Sequence, residues 1–156
     1  MWQSSTNFHS YLKSSGDTIT VENIDLLVQR AFYYLATVFS NIYQKPTEIA
    51  GNWKNLGNSA TYTFTKTGKE FVGIVKSLPV NSTILNDIFY DSEFRFPDEF
   101  AQNGIMQIHN GTSVSMDKAT GKKSKPSDLQ FRRIGNLIFT VDKYSPWFSN
   151  CLQKTD

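Results

Sequence analysis

One histidine in this sequence is placed where it could move a proton. His109 stands in Met106-Gln-Ile-His-Asn110, and an imidazole titrates near enough to neutrality to act as base or acid. Asp87 and Tyr90 lie on the segment before it, and a carboxylate or phenol held against such a histidine is what an isomerase or dehydratase pocket needs. No spacing pairs either with His109, so a polar residue facing water is the simpler reading. Asp87, Asp91 and Glu93 share one parity, which reads as the wet face of a strand and not as a metal site. Cys151 is the single cysteine. It can form no intrachain disulfide and no cysteine metal cluster, and with no base near it in sequence it reads as a packed thiol. The residues imply no cofactor and no catalytic set.

Charge points to binding only weakly. Lys118, Lys122, Lys123 and Lys125 fall in Asp117-Lys-Ala-Thr-Gly-Lys-Lys-Ser-Lys-Pro-Ser-Asp128, and Arg132-Arg133 follow. The lysine segment reads as a long mobile hairpin loop, solvated, with contact to RNA phosphates as a second reading. A formal charge of +2 and a pI near 8.6 fall short of the basic field of a dedicated nucleic-acid binder.

The elements that must position these residues divide the chain into a helical and a strand-rich half. Residues 1–17 are polar and read as a flexible arm, and 18–156 as one domain. Ile24, Leu27, Val28, Ala31, Leu35, Val38, Phe39 and Ile42 recur every three to four positions. They predict a helix capped by Thr20 and ended at Lys45-Pro46, with Tyr33, Tyr34 and Tyr43 widening its apolar stripe. A short second helix or turn is expected at Thr47–Ala50. Phe71, Ile74, Val75 and Leu78 at i, i+3, i+4 and i+7 predict a third between Gly68 and Pro79. Ala60–Phe64, Ser82–Phe89, Gly104–Met116, Leu129–Val141 and Trp147–Leu152 read as strands. Phe94–Phe100 reads as an irregular connection. Met106 and Ile108, with Ile134 and Ile138, are apolar positions left over once one face is covered, and they predict a partner surface. Twelve Phe, seven Tyr and three Trp enrich the strands and any interface. The N-terminus lacks the pattern of a signal peptide and no apolar run approaches a membrane span, so a soluble intracellular protein is expected.

Helix, short helix, strand, helix and long antiparallel strands, in that order, resemble the nuclear transport factor 2-like family. The likeness is best at Gly68-Lys-Glu-Phe-Val-Gly-Ile-Val-Lys-Ser-Leu-Pro79, with Trp53 before a strand, Ile134-Gly-Asn-Leu-Ile138 and Trp147-Phe-Ser-Asn-Cys-Leu152 in support. The resemblance implies an α+β fold, a curved antiparallel sheet with three helices on its concave face. Within the family the chain looks most similar to the small subunit of the messenger-RNA export receptor heterodimer, and its stopping with the last strand fits a stand-alone subunit. That implies a non-catalytic binding module located at the nucleus and nuclear pore and shuttling to the cytoplasm. It also implies the large export receptor subunit as partner, phenylalanine-glycine nucleoporins as further partners, no membrane, and Asn136 and Gln153 as interface positions. A Ran-type carrier homodimer or scaffold, and an isomerase or dehydratase using the concave pocket, are the alternatives that the same resemblance allows.

Overall fold

The computed structural model describes residues 21–78, 89–142 and 148–156, with the side chains of 21–30 and 148 excepted. The flexible-arm expectation for residues 1–17, the capping role of Thr20, the stop at Pro79 and the proton-transfer candidate Asp87 lie outside them. So does most of the strand expected at Ser82–Phe89. Helix α1 spans Val21–Asn41, close to its expected bounds. Nine strands follow among the described residues: β1 Gly51–Asn55, β2 Thr61–Thr67, β3 Glu70–Ser77, β4 Phe89–Pro97, β5 Ala101–Asn103, β6 Met106–Asp117, β7 Ser127–Ile134, β8 Leu137–Asp142 and β9 Phe148–Lys154. Eight of them close into a ring. β1 to β4 pair in sequence, β4 passes to β6, β6 to β9 pair in sequence, and β9 returns to β1, every pair antiparallel. β5 adds to the free stretch of β6 beside Met106, Gln107 and Ile108.

The expected cone of three helices on an open sheet is therefore wrong. Among the described residues there is one helix, and the sheet is a closed eight-stranded antiparallel barrel. The third helix is strand β3, because its periodicity conceals an alternation. Phe71, Gly73 and Val75 face Lys66, Phe64 and Tyr62 across β2. A Cβ on Gly73 would lie well inside 3.0 Å of the Phe64 ring, so the ring occupies the space that a side chain on β3 would take. Gly68, at φ 65°, is the first residue of a two-residue hairpin loop between Thr67 and Glu70, the place a II′ turn requires glycine. Of the helix or turn expected at Thr47–Ala50 the helix does not form: Thr47 and Glu48 are coil and Ile49 and Ala50 bend into β1. The single strand expected at Leu129–Val141 is two, folded at Gly135 (φ 57°) so that Ile134 pairs with Leu137. Phe94 and Phe96, expected in a loop, are core residues of β4.

Alternation sorts each strand into an inner and an outer set. Trp53, Tyr62, Phe64, Phe94, Phe96 and Phe131 point inward and are at most 1% exposed. Their rings pack on one another, Phe96 and Phe131 with centroids 4.6 Å apart and Trp53 edge-on to Phe64 at 6.1 Å. Trp53 Nε1 donates to the Ile49 carbonyl at 2.7 Å, satisfying the one polar atom of that ring. An eight-stranded barrel is just wide enough for side chains or one small ligand, and here aromatics plug its middle. Outside, Leu137, Phe139 and Cys151 pack under Tyr34 and Val38 of α1, with Tyr34 edge-on to Phe139 at 6.0 Å. Both faces of β8 are thus covered, by the core within and by the helix on the convex surface. The helix end is tied down by Asn41, whose Oδ1 accepts from the Asn136 backbone N–H at 3.2 Å. Among the described residues no helix is long and apolar enough to cross a membrane.

Candidate functional site

The aromatic plug leaves two chemically different ends. At one end, polar side chains hydrogen-bond among themselves. Asn55 Nδ2 donates to Asn150 Oδ1 at 2.8 Å, and Asn150 Nδ2 donates to Asp91 Oδ2 at 2.8 Å and to Thr140 Oγ1 at 3.1 Å. Ser115 Oγ reaches Asp91 Oδ1 at 3.4 Å, and the Tyr62 hydroxyl donates to the Asp91 carbonyl at 2.6 Å. Burial pushes the Asp91 carboxyl above its ordinary range, outweighing the hydrogen bonds from Asn150, Ser115 and Ser113 that favour its charge. This end is a satisfied network.

The other end is not satisfied. β4 ends at Pro97 and the chain rejoins the sheet as β5 at Ala101, and His109 reaches the backbone of that break. Its Nδ1 lies 2.9 Å from the Pro97 oxygen and 3.0 Å from the Glu99 oxygen. Carbonyls only accept, so Nδ1 carries the proton and Nε2 holds a lone pair. The ring is 2% exposed and packs between Phe96 and Phe100, with centroids at 4.9 and 5.4 Å. Burial holds its pKa below the usual imidazole value; the two carbonyls oppose this and nearby Arg133 adds to it. His109 is neutral at pH 7, and its Nε2 has no partner among the described residues.

Arg133 stands beside it. Gln107 pairs with Arg133 and His109 with Phe131 across β6 and β7, so His109 and Arg133 are diagonal neighbours on the inner face, about 7 Å apart by strand geometry. Leu129, Phe131 and Arg133 share the inward parity of β7. Arg133 is only 6% exposed, and its Nε and Nη2 have no hydrogen-bond partner among the described residues. Burial pushes the guanidinium down to about 10, so it stays charged at neutral pH. Among the described residues no carboxylate pairs with it: Asp98 is held by Lys66 at 3.3 Å, and the arginine ion pairs there join Arg95 to Glu70 and Glu93 on the outer surface.

His109 and Arg133 line a cavity of about 380 Å³, with Gln107, Phe71, Phe100 and Ile49 among its walls and Glu48, Lys66 and Asp98 also lining it. That volume lies within the usual range for small-molecule pockets, about 300–1,000 Å³. Apolar walls around a few unpaired polar groups are the pattern of a binding site. Among the described residues no cluster of His, Cys, Asp and Glu could hold a metal.

The residues proposed from sequence are dispersed. Tyr90 pairs with Met116 on β6 and its hydroxyl contacts the Met116 sulfur at 2.9 Å; seven residues of strand, about 23 Å, separate Met116 from His109. Asp91 is in the polar network and Glu93 is paired with Arg95, so the carboxylates of one parity do not meet. Cys151 is buried under α1, and burial pushes its thiol up. Met106 and Ile108 are half-buried on β6 opposite Asn103 and Ala101. Ile138 is in the barrel core at 1% exposure, whereas Ile134 packs outside with Leu137. Asn136 is in the β7–β8 turn, its Oδ1 buried without a partner among the described residues. Gln153 accepts from the Tyr33 hydroxyl at 3.3 Å. Of the four apolar positions Ile138 alone points inward; Met106, Ile108 and Ile134 share the outer parity of β6 and β7, and Gln153 pairs with the outward Leu137. Lys118, Lys122, Lys123 and Lys125 are exposed on the β6–β7 hairpin. That hairpin is hydrogen-bonded rather than loose: the Ala119 N–H donates to Asp117 Oδ1 at 2.8 Å and the Ser124 N–H to the Ser115 carbonyl at 2.8 Å.

No family model, curated protein or solved structure matches this chain. In the sequence Arg133 is masked by Arg132, since two adjacent arginines read as surface charge; the signal is its place in Leu129-Gln-Phe-Arg-Arg133, where inward parity runs from two apolar residues onto an arginine.

Proposed function

We propose that this barrel binds a small organic anion in the cavity at its Arg133 end. The observation that carries the reading is a charged guanidinium, 6% exposed, with Nε and Nη2 unpaired among the described residues and a cavity of about 380 Å³ against it. Burying an unpaired cation costs several kcal/mol, and each buried donor without an acceptor costs about 1–3 kcal/mol. Such a cost is offset when an anion supplies the acceptors. Nε and Nη2 lie on one edge of the guanidinium, and two parallel N–H donors match the two oxygens of a carboxylate. Phe71, Phe100 and Ile49 would take an apolar or aromatic body. Lys66 neutralises Asp98 at 3.3 Å, so Glu48 is the lining carboxylate with no ion pair among the described residues; it disfavours a second negative charge, and a monoanion fits best.

The export subunit, the Ran-type carrier, the nuclear-pore partners and the concave-pocket enzyme all follow from the expected cone. The closed barrel removes the premise on which each rests.

Calorimetric titration with phenylacetate tests the proposal. Its ten or so non-hydrogen atoms at about 0.4 kcal/mol each give about 4 kcal/mol, a dissociation constant of about 1 mM. Saturable one-site binding is expected, absent with methyl phenylacetate, which keeps the body and has neither the charge nor a hydroxyl. Equal binding of the two, or none of phenylacetate at about 20-fold that concentration, would refute an anion site.

A further inference from the structure

The same site carries a second unmet group, and it is an acceptor. Because the carbonyls of Pro97 and Glu99 fix the proton of His109 on Nδ1, the lone pair of Nε2 is left without a donor among the described residues. A simple carboxylate answers Arg133 and leaves His109 unanswered, since an ionised carboxylate donates nothing. We infer that the ligand is a hydroxy-carboxylate: an acid whose anionic group sits on Arg133 while a hydroxyl a few ångströms away donates to His109 Nε2.

This inference rests on the anion-binding reading and specifies its ligand class. The two residues are diagonal neighbours on one face of the β6–β7 pair, so one compact molecule spans both. Phe96 and Phe100 flank the imidazole, and its Nδ1 is held by two backbone oxygens. Ring rotation that would bring Nδ1 to the ligand would strip both carbonyls of their donor. The acceptor is thus held in place before the ligand arrives, and a hydroxyl placed there replaces no existing protein hydrogen bond. A site that presents a buried, unpaired group discriminates strongly for the analogue that satisfies it. Gln107, whose amide both donates and accepts, lines the same cavity and accommodates either orientation of the remaining ligand atoms.

The experiment compares phenylacetate with both enantiomers of mandelate and with 3-hydroxyphenylacetate, by calorimetry on the wild-type chain and on His109→Asn. The substitution keeps an amide N–H where Nδ1 donated and removes the acceptor at Nε2. At least one hydroxy acid should bind wild type about threefold to tenfold more tightly than phenylacetate, the range of one added hydrogen bond. In His109→Asn that preference should vanish, the hydroxy acid and phenylacetate binding with equal affinity to within about twofold of each other. Phenylacetate binding with no gain from any hydroxyl would overturn the hydroxy-acid inference and leave the anion site standing. A preference that survives in His109→Asn would also overturn it. Absence of phenylacetate binding to wild type would overturn the anion reading beneath it. Should the variant fail to fold, imidazole ¹⁵N shifts of the wild type decide the matter. On adding the preferred hydroxy acid, Nε2 should move as an unprotonated nitrogen that gains a donor, with Nδ1 still protonated; an unchanged Nε2, or a proton on Nε2 in the free protein, refutes the assignment.

Discussion

Replacing Arg133 by methionine should make the ligand-free protein more stable while abolishing anion binding. The guanidinium is pushed from its ordinary 12.5 to about 10 by burial, and at about 1.36 kcal/mol per pH unit this penalises the charged folded state by about 3 kcal/mol. The sign follows from linkage. A base whose folded pKa is depressed binds fewer protons folded than unfolded between the two values, so stability rises with pH only in that alkaline window. At pH 7 the full penalty is present. Methionine keeps most of the aliphatic stem and removes the charge, at a loss of about 1 kcal/mol for packing not replaced. The net gain is about 2 kcal/mol, or about 4–8 °C in Tm for a chain of this size. Urea and thermal unfolding of both proteins without ligand measure it. With phenylacetate at about 100 times its dissociation constant, wild type should gain about 2.7 kcal/mol and the variant nothing, so their order of stability should reverse. A ligand-free Arg133→Met protein that is less stable than wild type by about 1 kcal/mol or more would refute the reasoning, because it would mean the guanidinium is a structural partner and not a waiting one.

Two further predictions concern the frame around the site. Alanine at Gly73 would drive a Cβ into the Phe64 ring, and at Gly111 into the Arg95 carbonyl oxygen; chemical denaturation should show a loss of about 1–3 kcal/mol for the first and a larger one for the second, where backbone must move. Asp91, raised by burial, contributes stability that is full below its unfolded pKa of 3.8 and is lost as pH rises through its folded value. Asp91→Asn keeps an acceptor for Asn150 and turns its amide to Ser115, so in pH-dependent unfolding its advantage over wild type should be smallest near the unfolded carboxyl pKa and grow towards neutrality.

Which parts of the molecule are legible in its sequence depends on how each element announces itself. α1 is, because eight apolar residues at helical spacing have no competing period. β3 is not: its inward set is Phe71, Gly73 and Val75, and a glycine in the middle erases the alternation, while Ile74 outside and Leu78 beyond complete a false helical stripe. Phe64 explains that glycine only once β2 lies beside it. The turn at Gly135-Asn136 divides what reads as one strand, and there the signal is present, a glycine and an asparagine between apolar runs. Without those two corrections the strands cannot be counted, and a bent open sheet is as good a reading as a ring. The site has less to announce it. His109 is visible as a chemical group, but its partners are backbone carbonyls exposed by the break after Pro97, which no side-chain pattern encodes. Arg133 is visible as an arginine and hidden as an interior residue.

The anion site is open to direct view in a crystal of the protein soaked in saturating phenylacetate. One molecule should occupy the His109–Arg133 cavity, its two carboxylate oxygens on Arg133 Nε and Nη2 and its ring against Phe71 and Phe100. A cavity left empty at saturation, or a ligand bound elsewhere with Arg133 unengaged, would contradict it.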